Sequence, residues 1–140
     1  MTQALTAIRP KPWRRLLRSA AALLLGMAAV VVLSIATDAM LHGLKVFPPE
    51  DQPMNDPGLN LLALAYRSLY GAAGSWIAAR LAPNAPMGHA LALGGVGLLL
   101  SLAGVIVTWN LDLGPHWYPI ALVVTALPFA WLGGRFGARQ

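Results

Sequence analysis

Four long apolar runs, separated by short polar segments, dominate the chain. They cover residues 16–41, 59–81, 87–108 and 117–134. Each run is long enough to cross the hydrocarbon layer of a bilayer as an α-helix, which takes about 20 residues. None shows the period of two that is typical of a transmembrane β-strand. The pattern therefore predicts an all-α membrane protein, a four-transmembrane-helix bundle with short loops.

The polar segments between the runs contain the residues that end helices. VFPPEDQPMNDPG at 46–58 carries four prolines and three acidic residues, APNAP occupies 82–86, and WNLDLGPHWYP occupies 109–119. Clusters of proline, glycine and asparagine mark turns and loops. We expect a basic amino-terminal segment at 1–15, a transmembrane domain at 16–134 and a short tail at 135–140.

Basic residues lie almost entirely on one side of the predicted spans. Short cytoplasmic loops of membrane proteins carry an excess of Lys and Arg, so this distribution predicts that both termini are cytoplasmic. The abundance of Ala, Leu, Gly and Arg is typical of a bacterium with GC-rich DNA, and the expected location is the inner membrane. One side holds Arg9, Lys11, Arg14, Arg15, Arg18, Arg80, Arg135 and Arg139, whereas the other holds Lys45, Glu50, Asp51, Asp56 and Asp112.

The amino terminus also has features of a secretory signal peptide. RPKPWRRLLR at 9–18 precedes an apolar run that contains the small residues SIA at 34–36. The apolar core of a signal peptide usually has 7–15 residues, and this run is longer. We therefore expect a retained first span.

The overall composition supports a membrane protein. Hydrophobic residues make up 57% of the chain and charged residues 11%, whereas soluble domains average about 25% charged. The net charge of +5 comes from residues that flank the apolar runs, so anionic lipid headgroups are the expected partner and nucleic acid is not. The absence of cysteine excludes disulfides, thiolate catalysis and Cys-type zinc sites.

Two charged residues lie inside the predicted spans. Asp38 is five residues before Gly43, and Arg67 is nine residues after Gly58. At 1.5 Å per residue, they lie roughly 8 and 13 Å from the outer ends of their helices. A charge within a membrane is costly and usually pairs with an opposite charge. We predict that Asp38 and Arg67 form an ion pair near the outer membrane edge.

Other polar residues of the first two spans lie at the same level, and they predict an outward-facing polar pocket. We expect the side chain of Tyr70 or His42 to hydrogen-bond to the ion pair. Asn110, Asp112 and His116 of the second outer loop are candidates to close the pocket. The residues expected at the pair are Thr37, His42, Tyr66 and Tyr70.

Three interpretations of this pocket stay open. It can be a structural ion pair, or a site linked to a proton or a substrate, because a buried acid beside a histidine can titrate in the working range. It can also bind metal through Asp38, His42 and His116, although no fourth ligand is spaced to support such a site. His89 lies on the cytoplasmic side, where solvent or headgroups are its expected surroundings.

Small residues recur at spacings that allow close helix packing in lipid. We predict that the third span is the packing centre of the bundle, and that Pro128 kinks the fourth span. The small residues can serve contacts within the chain or between copies. They are Gly71, Gly74 and Ser75 in the second span and Gly94, Gly97, Ser101 and Gly104 in the third.

No catalytic signature is present: the sequence lacks a phosphate-binding glycine loop, a nucleophile elbow and paired carboxylates at one depth. We therefore expect no catalytic residues, cofactor or metal. The leading hypothesis is a non-enzymatic accessory, assembly or interaction subunit that binds itself or another membrane protein. The alternatives are a small oligomeric transporter or channel that uses Asp38 and Arg67, and a membrane enzyme acting on lipid or quinone through Asp38, His42 or His116.

Overall fold

The computed structural model describes residues 11–139, which form four α-helices: α1 (Pro12–Gly43), α2 (Pro57–Leu81), α3 (Pro86–Thr108) and α4 (Trp117–Gly137). Helices α1, α3 and α4 are long and apolar enough to cross a membrane. These three helices indicate a membrane-embedded protein. Helix α2 has 25 residues but is less apolar, because it contains two arginines and several other polar side chains.

Prolines and one acidic side chain set the helix starts. Pro12, Pro57 and Pro86 each occupy the first turn of a helix, where the missing N–H of proline leaves no hydrogen bond unmade. Asp56 caps α2 by accepting a hydrogen bond from the Leu59 amide at 3.0 Å. Helix α4 continues through Pro128 to Gly137. Because proline has no N–H, the carbonyl four residues earlier lacks its usual helical donor.

Consecutive helices run in opposite directions. Gly26 of α1 lies against Gly74 of α2, and Asp38, further along α1, lies against Arg67, earlier in α2. The connections 44–56 and 109–116 therefore share one end of the bundle, which we call the acidic end. The connection 82–85 lies at the opposite end, together with the start of α1 and the end of α4. We call this the basic end.

Helix α2 lies at the centre of the bundle, so the prediction that the third span is the packing centre is wrong. Helix α2 packs against all three other helices, whereas α1 barely contacts α3. The physical reason is the polarity of α2: three more apolar helices shield its polar side chains from lipid. Its buried residues include Tyr66, Ser68 and Ser75.

Glycines allow close helix approach, although at a different set of positions from the predicted one. Gly74 and Gly94 are packed against α1 and α4, as expected, and Ser75 is buried. An added Cβ at Gly71, Gly97 or Gly104 would meet no atom of residues 11–139 within 4 Å, so these three glycines make no tight helix contact. Spacing reveals a row of small residues but not what the row faces. The close contacts that the sequence did not reveal are those of Gly26, Gly133, Gly134 and Gly137.

The two loops of the acidic end are joined to each other. The Met54 amide donates a hydrogen bond to the Leu113 carbonyl at 3.0 Å. Gly114, at φ 148°, lies so close that a Cβ would be 2.7 Å from the Met54 carbonyl oxygen. Asn60 is buried and donates to the carbonyl oxygens of Met54 and Asp56, both at 2.8 Å. The two loops of the acidic end are therefore held together by hydrogen bonds, and they cover this end of the helical bundle.

Candidate functional site

An ion pair links α1 to α2. The Nη2 atom of Arg67 lies 2.5 Å from Oδ2 of Asp38, and the Tyr66 hydroxyl donates a hydrogen bond to Oδ1. Both carboxylate oxygens of Asp38 therefore have a donor. The two charged side chains are partly buried, with 27% of Asp38 and 36% of Arg67 exposed. The carboxylate within the span thus has two partners, one of them charged.

The position of Tyr66 explains its contact with the carboxylate. Successive residues of an α-helix are about 100° apart, so Tyr66 and Arg67 reach Asp38 from two sides. Tyr66 is 8% exposed and packs in an apolar cluster with Phe47 and Ala63, which fixes its ring. Tyr118 of α4 packs against the same cluster.

The predicted hydrogen-bond partners of the ion pair, Tyr70 and His42, bond elsewhere. The hydroxyl groups of Tyr70 and Thr37 are 2.8 Å apart and form a second link between α1 and α2. The His42 Nδ1 atom donates to the backbone carbonyl of Asp38 at 2.8 Å, and the ring packs edge-on against Phe47. His42 lies four residues after Asp38, and its ring reaches that backbone carbonyl instead of the carboxylate.

The second loop of the acidic end contributes one of its three candidates. His116 donates from Nε2 to the Trp109 carbonyl at 2.9 Å, stacks on the Trp109 ring and lines a cleft next to Arg67. Asn110 and Asp112 are exposed, and their side chains have no hydrogen bond or ion pair to any residue between 11 and 139. These two side chains therefore do not close over the pocket as expected, because both are exposed to solvent.

The proposed metal and acid–base sets are not assembled. In the described chain, no group of three His, Asp or Glu side chains is arranged to hold a metal ion. The Asp38 carboxylate bonds to Tyr66 and Arg67 and not to either histidine, and the bonded nitrogen of each histidine donates to a backbone carbonyl. His89 likewise bonds from Nδ1 to the Ala85 carbonyl at the basic end. The arrangement gives no support to the enzyme alternative.

Two clefts meet at Arg67. The first, which we call the loop-side cleft, has a volume of about 430 Å³ and lies between α2, α3 and α4 beneath the loop 109–116. The second, the central cleft, has about 240 Å³ and is lined by all four helices nearer the middle of the bundle. Arg67, Ser101 and Leu122 line both clefts, whereas Asp38 lines neither. Arg67 thus borders both clefts, whereas its counter-ion borders neither.

The central cleft is lined by hydroxyl groups and glycines that the sequence analysis did not connect with the ion pair. Ser68 donates to the Thr125 hydroxyl oxygen at 3.4 Å, and Thr125 donates to the Ala121 carbonyl at 2.8 Å. Gly71 and Gly97 line the same cleft. The available signal was the presence of serine and threonine inside otherwise apolar runs. Ser34, Ser68, Ser75, Ser101 and Thr125 are the five hydroxyl residues of this cleft.

The guanidinium of Arg67 has hydrogen-bonding capacity to spare. A guanidinium has five N–H donors, and the contact with Asp38 uses a donor on Nη2. The Nε atom is buried and has no acceptor within the described residues. An unpaired buried donor costs about 1–3 kcal/mol. Because Nε is shielded by its surroundings, the donors available to an acceptor from outside are the remaining N–H groups of the Nη atoms.

The chain was compared with protein-family models, with curated proteins and with solved structures, and no match was found in any of the three.

Proposed function

We propose that this protein is a non-enzymatic interaction subunit of a bacterial inner membrane. It crosses the membrane four times with both termini in the cytoplasm, and it binds a transmembrane helix of a partner membrane protein, whose side chains enter the central cleft. The observation that carries the proposal is that this cleft combines open glycines with hydroxyl donors. Gly71 and Gly97 line it, and a Cβ at either position would meet no atom of the described chain within 4 Å.

Helices associate in lipid through small residues that let backbones approach, and through hydrogen bonds between polar side chains. Both features are present in the central cleft, beside a helix α1 that barely contacts α3. Bulky side chains of a partner helix fit against the glycines, and an acceptor on that helix fits the spare donors of Arg67. The hydrocarbon tails of lipids have no acceptor for these donors.

The proposed membrane position has support at the basic end. Arginines there lie over aromatic rings, with Arg80 5.6 Å from the Trp76 ring centre and Arg135 5.2 Å from that of Trp131. Trp and Arg at one end of a bundle are typical of the headgroup region. The 25 residues of α2 also give it enough length to cross, and its neighbours shield its polar groups.

The experiment is photo-crosslinking in native membranes with p-benzoylphenylalanine at position 129, because Phe129 lines the central cleft. We expect a discrete protein adduct. The same probe at Ile106, which is 70% exposed and lines neither cleft, should give lipid adducts alone. An adduct of twice the chain's own mass would identify the partner as a second copy.

Matched glycine variants test the cleft itself. Gly97→Leu fills the central cleft, and Gly95→Leu places the same side chain at another open glycine of α3 that lines neither cleft. We expect Gly97→Leu to abolish the adduct and Gly95→Leu to keep it. Equal crosslinking in both variants would remove the proposal.

A second candidate function is a small oligomeric transporter or channel. The observation in its favour is that the two clefts share Arg67, Ser101 and Leu122 and so are adjacent along the bundle. A transport assay in proteoliposomes with Asp38→Asn as the control variant tests it. Solute uptake that depends on Asp38 would favour the transporter over the interaction subunit.

A further inference from the structure

We propose that the loop-side cleft binds an uncharged, apolar molecule through a carbonyl oxygen, which accepts hydrogen bonds from Arg67 and Ser101. This site adjoins the partner-helix site at Arg67 and Ser101, but the rest of its lining is different, and the inference does not rest on the proposed function. Two membrane-dissolved sources supply such a carbonyl: the ring of an isoprenoid quinone and the acyl ester of a neutral lipid.

The size and walls of the cleft fit a small apolar molecule. Its volume of about 430 Å³ lies within the roughly 300–1,000 Å³ of small-molecule sites. Such sites are mostly apolar and contain a few polar groups that orient the ligand. The apolar walls are formed by Leu100, Leu111, Leu113, Pro115, Pro119 and Leu122.

Few polar groups of the cleft have donors to spare. Asn60 uses its amide nitrogen on two backbone carbonyls, and Thr108 uses its hydroxyl on the Gly104 carbonyl at 2.7 Å. Arg67 keeps free N–H groups on its Nη atoms, and the hydroxyls of Ser101 and Tyr118 have no hydrogen-bond partner between residues 11 and 139. Arg67 and Ser101 line the deep end of the cleft, where it meets the central cleft. The ligand therefore needs an acceptor oxygen at that end.

The charge balance selects an uncharged ligand. Arg67 is the one Lys, Arg, Asp or Glu side chain that lines the cleft within the described chain, and Asp38 already neutralises it. An anion bound here would give the site a net negative charge in a medium of low dielectric constant, which is costly. A carbonyl oxygen accepts the same hydrogen bonds without that cost. Carboxylate and phosphate groups are therefore disfavoured.

The chain offers a variant that blocks this cleft alone. Gly104 lines the loop-side cleft and not the central one, and a Cβ there would meet no described atom within 4 Å. Gly104→Leu should therefore fold and fill the cleft. Gly95→Leu is the matched control, because Gly95 is equally open and lines neither cleft.

The experiment uses the full chain in nanodiscs made of an ether-linked phosphatidylcholine, which has no ester carbonyl. Ubiquinone-1 and dihexanoylglycerol are titrated separately, with tryptophan fluorescence as the readout, because Trp109 stacks on cleft-lining His116. Saturable binding of one probe identifies the source. We expect unchanged affinity for Gly95→Leu and affinity at least tenfold weaker for Gly104→Leu. Dihexylglycerol, the ether analogue without carbonyls, should not compete.

Ser101→Ala provides a second test that does not fill the cleft. Loss of one hydrogen bond should weaken binding by about five- to tenfold. The proposal is overturned if neither probe binds saturably, if Gly104→Leu binds as well as the parent chain, or if hexanoate anion binds more tightly than the neutral probes. Gly97→Leu, which removes the partner adduct, should leave probe binding unchanged, so the two proposals fail separately.

Discussion

Gly26 and Gly74 approach so closely that each backbone oxygen occupies the place of the other residue's missing side chain. A Cβ on Gly26 would lie 2.6 Å from the Gly74 carbonyl oxygen, and a Cβ on Gly74 would lie 2.7 Å from that of Gly26. The backbones of α1 and α2 are thus in direct contact at this level. The Asp38–Arg67 pair lies nearer the acidic end, about three turns away along α1 and about two along α2, so the two contacts fix both the distance and the register of the helices.

The first prediction concerns this glycine contact. Gly26→Val inserts a branched side chain between two backbones and should lower the free energy of unfolding by about 1–3 kcal/mol, the usual cost of overpacking. Gly71→Val is the control, because a Cβ at Gly71 meets no described atom within 4 Å. Denaturation with sodium dodecyl sulfate, followed by circular dichroism, measures both. Equal losses in the two variants would contradict the assignment.

The second prediction concerns the ion pair. Asp38→Asn and Arg67→Gln each leave one charge without its partner, and each should reduce stability by somewhat less than the roughly 3–5 kcal/mol of a fully buried pair, because both side chains are partly exposed. The double variant should recover much of the loss. A double-mutant cycle in detergent measures the coupling. Strictly additive losses would show that the two charges act independently.

The third prediction separates the two tyrosines. Tyr66→Phe removes a hydrogen bond to a carboxylate, worth about 1.5–3 kcal/mol, whereas Tyr70→Phe removes a bond to the Thr37 hydroxyl, worth about 0.5–1.5 kcal/mol. Tyr66→Phe should therefore have the larger effect on the melting temperature. In the background of Asp38→Asn the difference should shrink. A larger effect of Tyr70→Phe would reverse the assignment of the carboxylate's partner.

The fourth prediction concerns orientation. The chain has no cysteine, so a single introduced cysteine is the only thiol to be labelled. Gln52→Cys lies in the loop of the acidic end and should react with an impermeant maleimide added to intact spheroplasts. Asn84→Cys lies in the connection at the basic end and should react after lysis. The opposite pattern would place the termini outside the cytoplasm.

The contact between Asp38 and Arg67 could be predicted because it depends mainly on how deep the two residues lie in the membrane, which the sequence gives. Two charges at similar distances from one loop, on helices joined by that loop, have few other partners available. The carboxylate's second partner could not be predicted, since Tyr66 and Tyr70 lie at similar depth. Which of them reaches Asp38 depends on how α2 is rotated about its axis, and that rotation is set by the Gly26–Gly74 contact.

The position of α2 could have been predicted, because the run with the most polar side chains has most to gain from neighbouring helices. The spacing of the glycines instead indicated α3 as the packing centre. Gly97 and Gly104 form a regular row on α3 but border the clefts, whereas the irregularly spaced Gly133, Gly134 and Gly137 pack tightly within the chain. A small residue permits close packing, but its position in the sequence does not show whether another helix packs against it.

The Met54–Leu113 bond also has a kinetic consequence. It joins the two acidic-end loops, backbone to backbone, at the edge of the loop-side cleft. Any separation of these loops wide enough to admit a molecule from the aqueous side must break it, and the Met54 amide proton then becomes free to exchange with solvent. Hydrogen–deuterium exchange at that one amide therefore reports how often this end of the bundle opens. A molecule that instead enters sideways from the lipid leaves the exchange rate at Met54 unchanged.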